Sequence, residues 1–312
     1  MTTIETVAAT TVESVAFESD GAMLAGHLYV PDVAAAVALP AVVVTGTWTS
    51  VKEQMADHYA AGLAAQGFVA LSFDFAGFGV SGGEPREVES ARRKASDIRH
   101  AVEFLAAHPT VEPERIAALA ICASAMYAAL AVTEGAQLHA LTLVAPWIHD
   151  AELVRTVYGE SGVKDRLEAG ERATDRYDRT GVVEYVPAAD SRDPHAAMPM
   201  EVDFYTNPRR GGIPGWPNRF AVMAWPEWLG LDGVGLAPHV TVPTLIVHSP
   251  DAAVPDGARR FYEGLGGPKE IVWTTGTQVD FYDQQPNVGL ALDHATSHFS
   301  TYLGTTENGA AR

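Results

Sequence analysis

The chain has one cysteine, and it lies where an apolar stretch meets a helix-forming one. Residues 116–121 are apolar, and Cys122, Ala123 and Ser124 follow directly. A strand that ends in small residues and turns at once into a helix is typical of a nucleophile elbow. This tight turn lifts one reactive side chain above a parallel sheet. A thiol presented in this way can attack a carbonyl carbon, so the sequence first indicates acyl-transfer chemistry.

Two registers of this turn are possible, and side-chain size distinguishes them. The turn has little space two residues before and two residues after the nucleophile. With Cys122 as nucleophile these positions hold Ala120 and Ser124, which are both small. With Ser124 as nucleophile they hold Cys122 and Met126, and Met126 would crowd the turn. We favour Cys122, with Ser124 as the alternative; a third interpretation is that Cys122 is only a small buried hydrophobe.

Composition limits the class of protein. The chain has 312 residues, 47% of them apolar, which is enough for one large core. A single cysteine excludes an intramolecular disulfide and suits a reducing compartment. Residues 1–20 lack the basic start and apolar run of a signal peptide, and no apolar run approaches the roughly 20 residues of a membrane span. We therefore expect a cytoplasmic protein that does not bind membranes.

The charge of the chain bears on its partners. A net charge of −18 argues against nucleic acid, because phosphate binding needs clustered Lys and Arg. His294 and His298 have a spacing that can bind metal on a helix, but no third ligand is evident nearby, so we expect no metal site. We expect a small-molecule substrate, and the sequence leaves a homodimer open.

Apolar segments of strand length alternate with helical patterns through most of the chain. Residues 14–30 suggest two antiparallel edge strands. Further strands are predicted at 41–44, 68–73, 116–121, 138–144, 242–247 and 270–273, and helices at 51–66, 87–107, 123–132 and 288–303. This alternation predicts an α/β fold, with a mostly parallel central sheet covered by helices on both faces.

Residues 150–236 interrupt the alternation. This segment begins with charged helical sequence and then becomes rich in Pro, Gly, Trp and Met, which prevents long regular elements. We predict a cap inserted into a core formed by residues 1–149 and 237–312. Ligands of open α/β sheets bind at the carboxyl edge, beneath such a cap. The aromatic side chains expected to line the binding pocket are Trp48, Trp147, Trp225 and Trp228.

With the elbow, the insertion and the strand order together, the chain resembles the α/β-hydrolase superfamily over nearly its whole length. The small-x-Cys-x-small elbow is most similar to the dienelactone-hydrolase-like branch. Residues 74–82 are similar to the D-x-x-G-x-G-x-S loop, and residues 248–255 to the G-x-x-D-x-x-V-P acid loop. The resemblance implies acyl transfer on an ester, lactone, thioester or amide, without an organic cofactor.

The resemblance also implies roles for individual residues. Cys122 takes the position of the nucleophile and Asp251 that of the acid, although an Asp there can equally serve the turn before a helix. The main-chain N–H groups of Ala123 and Thr47 correspond to the oxyanion hole. Each such donor can contribute about 3 kcal/mol to transition-state stabilisation.

The chain departs from the family at the third catalytic position. Gln278 stands where the family has its histidine, and glutamine cannot act as a general base near neutral pH. The thiolate can form without a base if the helix N-terminus lowers the pKa of the cysteine. Alternatively, another histidine substitutes, for which His149 after the sixth strand is the candidate, with His248 after the seventh. The third possibility is that the site no longer hydrolyses a substrate.

Two functions follow. The first is a hydrolase that acts on a small to medium hydrophobic ester, lactone or thioester through Cys122. The second is a non-hydrolytic relative: a lyase, isomerase, cyclase or ligand-binding protein that lacks the catalytic histidine.

Overall fold

The computed structural model describes residues 10–32 and 37–304 of the chain. The first nine residues, part of the segment that argues against a signal peptide, lie outside this range. Three short 3₁₀ helices occupy Lys52–Gln54, Val222–Ala224 and Val234–His239. The remaining elements follow one another as β1 (Thr10–Ser19), β2 (Ala22–Pro31), β3 (Leu39–Thr45), α1 (Ala56–Ala65), β4 (Val69–Phe73), α2 (Ala91–Ala106), β5 (Val111–Ile121), α3 (Ser124–Thr133), β6 (Ala140–Val144), α4 (Ala151–Tyr158), α5 (Glu160–Thr180), β7 (Tyr185–Pro187), α6 (Asp203–Thr206), β8 (Arg219–Ala221), α7 (Trp225–Gly230), β9 (Thr244–His248), α8 (Pro255–Gly264), β10 (Lys269–Trp273), α9 (Asp280–Asp283) and α10 (Asn287–Leu303).

In the described part of the chain, eight strands form one sheet in the order β1-β2-β4-β3-β5-β6-β9-β10. β1 and β2 pair antiparallel, as do β2 and β4, and every other neighbouring pair is parallel. The left-handed residues Asp20 and Gly21 turn β1 into β2, where the sequence indicates a turn. The chain therefore has the expected α/β architecture with a mostly parallel sheet.

The central strands are buried on both faces because helices cover both sides of the sheet. Every residue of β3, β4, β6 and β9 is buried, as are the last six residues of β5. Since neither face is in contact with water, the sequences of these strands are continuously apolar and do not alternate between apolar and polar residues. This is the pattern by which the sequence locates them.

Two helices differ from their predicted bounds, and β5 begins at Val111, before its predicted start at residue 116. The helix predicted at 51–66 is a 3₁₀ turn followed by α1, because the backbone leaves helical geometry at Met55, with φ −153°. Gln54 stabilises the earlier turn by accepting a hydrogen bond from the Val51 N–H at 2.9 Å. α2 begins at Ala91 rather than near 87, because the Ser90 side chain caps it by accepting from the Arg93 N–H.

The chain leaves the sheet after β6 and returns to it at β9. We call residues 150–236 of this excursion the cap segment. It contains the long helix α5, but its Pro-rich part forms only short elements. Trp216 of the cap segment donates a hydrogen bond to the Thr49 carbonyl at 2.8 Å, and Gln54 donates to the Gly211 carbonyl at 2.6 Å. The cap segment is thus fastened to the loop that follows β3.

Across residues 10–32 and 37–304, no helix combines the length and the apolar character that crossing a membrane requires.

Candidate active site

The turn between β5 and α3 holds Cys122 in a strained conformation. Its φ is 58°, in the left-handed region that a residue with a side chain rarely adopts. Hydrogen bonds on both sides keep it there, because the Cys122 N–H donates to the Val144 carbonyl and the Cys122 carbonyl accepts from the Trp147 N–H, each at 3.0 Å. Such strain costs on the order of 1–3 kcal/mol and persists where the surrounding structure enforces it. The result is the sharp elbow that the sequence indicates.

The alternative nucleophile, Ser124, is occupied by structural hydrogen bonds. Its hydroxyl lies near the carbonyls of Thr45 at 3.1 Å and Ile121 at 3.0 Å, and it accepts from the Ile121 N–H at 2.9 Å. Ser124 is fully buried and does not line the cavity described below, whereas Cys122 does. The structure therefore places the thiol, and not this hydroxyl, where a substrate can reach it.

Two main-chain N–H groups near the sulfur are free to bind a negative oxygen. Neither the Ala123 N–H nor the Thr47 N–H donates to another main-chain or side-chain oxygen in the described part of the chain. Ala123 belongs to the elbow and Thr47 to the loop after β3, and both residues line the same cavity as Cys122. This is the arrangement expected of an oxyanion hole.

The loop that carries Thr47 is held by a buried ion pair. Glu89 accepts hydrogen bonds from the Thr49 N–H at 2.5 Å, from the Lys94 ammonium at 2.7 Å and from the Tyr127 hydroxyl at 2.8 Å. Thr49 itself has φ 59°, so this bond fixes a left-handed residue in the loop. Neither Glu89, just before α2, nor Lys94, in its first turn, was identified from the sequence, since both belong to an ordinary charged stretch.

The surroundings of the thiol oppose its ionisation. Burial raises the pKa of Cys122, and contacts with the Thr47 hydroxyl, the Tyr282 hydroxyl, the Ala123 N–H and the Gln278 side chain offset this only in part. The expectation that the N-terminus of α3 lowers the pKa of this thiol is therefore not met. Because burial dominates, most of the cysteine is a neutral thiol at neutral pH.

Gln278 is held at the position expected for the catalytic histidine. Its Oε1 accepts from the Ala253 N–H at 3.0 Å, and its Nε2 donates to the Ala145 carbonyl at 2.8 Å and to the Tyr282 hydroxyl at 3.3 Å. The side chain thus bridges the loops that follow β6 and β9. It lines the cavity and orients Tyr282, but it has no proton to exchange near neutral pH.

Asp251 lies on the rim of the cavity and is exposed. Its N–H donates to the Ser249 hydroxyl at 3.1 Å, while its carboxylate makes no hydrogen bond or ion pair with any residue that the structure describes. It is not bonded to Gln278. The structure therefore brings Asp251 to the cavity without joining it to a catalytic triad.

His149 does not reach the cavity. Its Nδ1 accepts from the Trp147 indole N–H at 2.9 Å, and its Nε2 donates to the Trp228 carbonyl at 2.9 Å. Burial lowers the pKa of His149 to about 4, so the ring stays neutral. With both ring nitrogens engaged, His149 joins the core to the cap segment, which argues against the catalytic role considered for it.

His248 is also buried, and burial lowers its pKa to about 4. It does not line the cavity either, and the residues of the described chain that do line it include no histidine. A histidine therefore cannot take the place of the missing base in this geometry.

The cavity above Cys122 has a volume of about 570 Å³ and is lined mainly by apolar side chains. Trp48, Trp147 and Trp228 line it, as expected, but Trp225 does not. Trp225 lies behind the wall, with its ring centroid 4.6 Å from that of Phe220 and 5.9 Å from that of Trp48. It packs the cap segment onto the core instead of contacting a ligand.

Several lining residues were not identified from the sequence. Tyr282 follows Gln278 by one helical turn, and Tyr205 and Arg166 come from the cap segment. The i, i+4 spacing of Gln278 and Tyr282 is a signal that could have indicated Tyr282. Nothing in the sequence pattern marks Tyr205 or Arg166. Within residues 10–32 and 37–304, no three His, Cys, Asp or Glu side chains are grouped closely enough to hold a metal ion.

The strand order, the elbow after β5 and the excursion after β6 define an α/β-hydrolase fold. A model of the family described as X-Pro dipeptidyl-peptidase (S15 family) matches residues 20–174, just under half of the chain. Among solved structures, the hypothetical protein PA2218 from Pseudomonas aeruginosa superposes with a TM-score of 0.79 at 24% identity, covering 94% of each chain. The α/β hydrolase GrgF from Penicillium sp. sh18 gives a TM-score of 0.78 at 20% identity, covering 95% of this chain and 100% of that one.

Curated sequence relatives match this chain over different lengths. PA2218 of Pseudomonas aeruginosa is 42% identical over 102 residues, but the match spans only 33% of this chain and 28% of that protein. The uncharacterized protein YcjY of Escherichia coli is 29% identical over 84% of this chain and 89% of its own length. The thiohydrolase apmlB of Arthrinium phaeospermum is 26% identical over 83% of this chain and 86% of its own.

Proposed function

We propose that this protein is an acyl-transfer enzyme that cleaves a small to medium hydrophobic ester, lactone or thioester through Cys122. One observation carries the proposal: a strained cysteine lies beside two free main-chain N–H groups in the wall of an apolar cavity. Of the substrate classes, a thioester is supported by the similarity to a protein named a thiohydrolase. The small-x-Cys-x-small elbow supports placement in the dienelactone-hydrolase-like branch, and the single cysteine supports a cytoplasmic location.

In the first half of the reaction, the Cys122 sulfur attacks the substrate carbonyl carbon and the thiol gives its proton to a neighbouring hydroxyl. The carbonyl oxygen becomes an oxyanion that the N–H groups of Ala123 and Thr47 stabilise. When the tetrahedral intermediate collapses, the bond to the leaving group breaks and the leaving group takes up a proton. The hydroxyls of Thr47 and Tyr282 lie beside the sulfur and can pass this proton. The product is an acyl group in thioester linkage to Cys122.

In the second half, water attacks the acyl-enzyme. Its hydroxyl joins the acyl carbon, and the sulfur leaves and regains a proton. No histidine lines the described cavity, so the base that would normally activate that water is missing. We therefore expect deacylation to be the slow step, so that an acyl-enzyme accumulates.

The lack of a histidine in the described cavity favours a second candidate, a non-hydrolytic enzyme or ligand-binding protein. An acyl-enzyme that water attacks slowly can pass its acyl group to another acceptor, or to a hydroxyl within the same substrate. Gln278 in place of a base is the feature that favours this alternative. The two candidates share the acyl-enzyme and differ in what removes the acyl group.

Intact-protein mass spectrometry after incubation with p-nitrophenyl butyrate, and separately with an N-acetylcysteamine thioester, tests the proposal. We expect a mass increase of one acyl group, absent in Cys122→Ala and retained in the matched control Ser124→Ala. Release of p-nitrophenol beyond one equivalent indicates hydrolysis, and a single burst indicates the non-hydrolytic alternative. An unlabelled wild-type protein, or labelling that survives Cys122→Ala, would contradict the proposal.

A further inference from the structure

A single basic side chain, Arg166 of α5, lies in the cavity wall of the described structure. Its guanidinium carbon is 4.9 Å from the ring centroid of Tyr158 and 5.0 Å from that of Trp225. Both rings attract the cation through their π faces and restrict the plane of the guanidinium. Arg166 is therefore an oriented positive charge in a mainly apolar wall.

The structure gives this guanidinium no acidic partner. Its one hydrogen bond runs from Nη1 to the Gly162 carbonyl of its own helix, at 3.2 Å. Its Nε is buried and has no hydrogen-bond partner. Arg210, also in the cap segment, shows the contrast, since it makes ion pairs with Asp283 and Asp203. A guanidinium has five N–H donors in a planar fork; one is bonded to Gly162 and the Nε–H is buried, so the remaining Nη donors of Arg166 are available to a ligand.

The other charged residues that line the cavity are Glu201, Asp203 and Asp251. All three are exposed, and none forms an ion pair with Arg166. Asp203 is engaged by Arg210 at 3.2 Å. These carboxylates do not satisfy the cation, so its partner must come from the contents of the cavity.

We propose that Arg166 binds an anionic oxygen group of the substrate, at the end remote from the reacting carbonyl. This inference rests on the proposed function, because it names the class of substrate that the same cavity accepts. A guanidinium fork matches the paired oxygens of a carboxylate or a phosphate, and such charge-assisted bonds are strong where water is excluded. Two sources supply this chemistry: a terminal carboxylate on the acyl chain, or the phosphate of a phosphopantetheine arm that carries a thioester.

Binding of unreactive ligands to the wild-type protein tests the inference without any need for turnover. Isothermal titration calorimetry would compare octanoate with octanamide, and 4′-phosphopantetheine with pantetheine. The first pair has nearly the same shape and differs by one negative charge, and the second pair differs by the anionic phosphate. We expect one anionic ligand to bind at least about tenfold tighter than its neutral counterpart, and the pair that shows this preference identifies the source of the anion.

Variants at two positions of α5 distinguish a specific contact of Arg166 with the ligand from a general effect of positive charge on this helix. Arg166→Gln should reduce the preference to less than about threefold, and Arg166→Lys should retain part of it, since it keeps the charge without the planar fork. Lys164→Met is the matched control, because Lys164 is exposed and its replacement removes the same charge from the same helix. Equal binding within both ligand pairs, or a preference that survives Arg166→Gln, would overturn the inference. Because the ligands do not acylate the protein, failure of acylation at Cys122 would count against the proposed function alone.

Discussion

At the scale of single residues, the site combines a familiar nucleophile position with an unusual neighbour. Cys122 has the strained backbone and the adjacent N–H groups of an elbow, but the side chain beside it is an amide. The thiol must therefore ionise without a basic partner. Two predictions follow from this pairing of Cys122 with Gln278.

The reactivity of Cys122 should increase with pH well into the alkaline range. Burial raises its pKa, and only the thiolate is nucleophilic. Below that raised pKa the thiolate fraction grows about tenfold per pH unit, so the rate of alkylation by iodoacetamide should rise continuously from neutral pH. The rate would be measured by mass spectrometry, with Cys122→Ala as the unlabelled control. A rate that is already constant between pH 6 and 8 would show that the thiol is acidic.

Replacing Gln278 by His should introduce the missing base. The new imidazole would take the place of the Gln278 side chain, which contacts Cys122. A well-placed general base increases the rate about 10²–10⁴-fold. We expect p-nitrophenyl butyrate hydrolysis at pH 7 to rise at least about tenfold. Gln278→Asn is the control, since it breaks the same hydrogen bonds without adding a base. Equal rates for the two variants would mean that the imidazole does not reach the reaction.

At the scale of elements, the loop after β3 is fixed from two sides. Lys52 pairs with Asp74 at 2.9 Å on one side, and Glu89 with Lys94 at 2.7 Å on the other. The Lys52 side chain is only 2% exposed, so its pair with Asp74 is buried. The Glu89 pair also receives the Thr49 N–H, so it positions the loop that supplies the Thr47 donor.

Breaking the Glu89–Lys94 pair should destabilise the protein and impair the site separately. Lys94→Met leaves a buried carboxylate without its cation, which should lower the free energy of unfolding by about 3 kcal/mol. The double variant Glu89→Met with Lys94→Met should recover much of that stability. It should still acylate about tenfold more slowly with KM little changed, because Thr49 has lost its acceptor. Urea unfolding and acylation kinetics measure the two effects, and a double variant with normal acylation would show that the pair serves stability alone.

At the scale of the whole molecule, the cap segment is joined to the core by salt bridges, one of them between Arg210 and Asp283, and by a cluster of aromatic rings. Arg210 donates to both oxygens of Asp283 in α9, at 2.9 and 2.5 Å, and to the Val279 carbonyl at 3.1 Å. Trp48 of the core packs on Trp228 with ring centroids 4.9 Å apart. The salt bridge therefore joins the cap segment to the short helix that carries Tyr282.

Removal of Arg210 should loosen residues 203–213. We expect Arg210→Met to raise hydrogen exchange in this segment about tenfold, while Arg209→Met, an exposed neighbour of the same charge, has little effect. Hydrogen–deuterium exchange measured by mass spectrometry provides the test. Equal protection in the two variants would show that the Arg210–Asp283 salt bridge does not hold this segment in place.

The pH dependence of this contact follows from the pKa of Asp283. Burial acts to raise that pKa, but the hydrogen bonds and charge of Arg210 outweigh it, so the pKa is lowered overall. A carboxyl whose folded pKa is depressed contributes stability above its unfolded pKa and loses it as the pH falls through the folded one. Protection of residues 203–213 should therefore be constant from neutral pH down to about pH 5 and decline only below the usual range of carboxyl groups. An earlier decline in the wild-type protein would contradict this.

The sequence by itself determined the parallel sheet, the elbow and the presence of a glutamine instead of a histidine in the loop after β10. Each of these depends on residues close together in the chain: apolar runs, small residues around Cys122, and Gln278 in its loop. Only the tertiary structure decided that Trp225 lies behind the cavity wall, that His149 is held by Trp147 and Trp228, and that Arg166 and Tyr205 line the same cavity as Cys122. Local patterns report which side of an element is buried, but not what it is buried against, and the Pro-rich cap segment has no periodicity from which its contacts could be inferred.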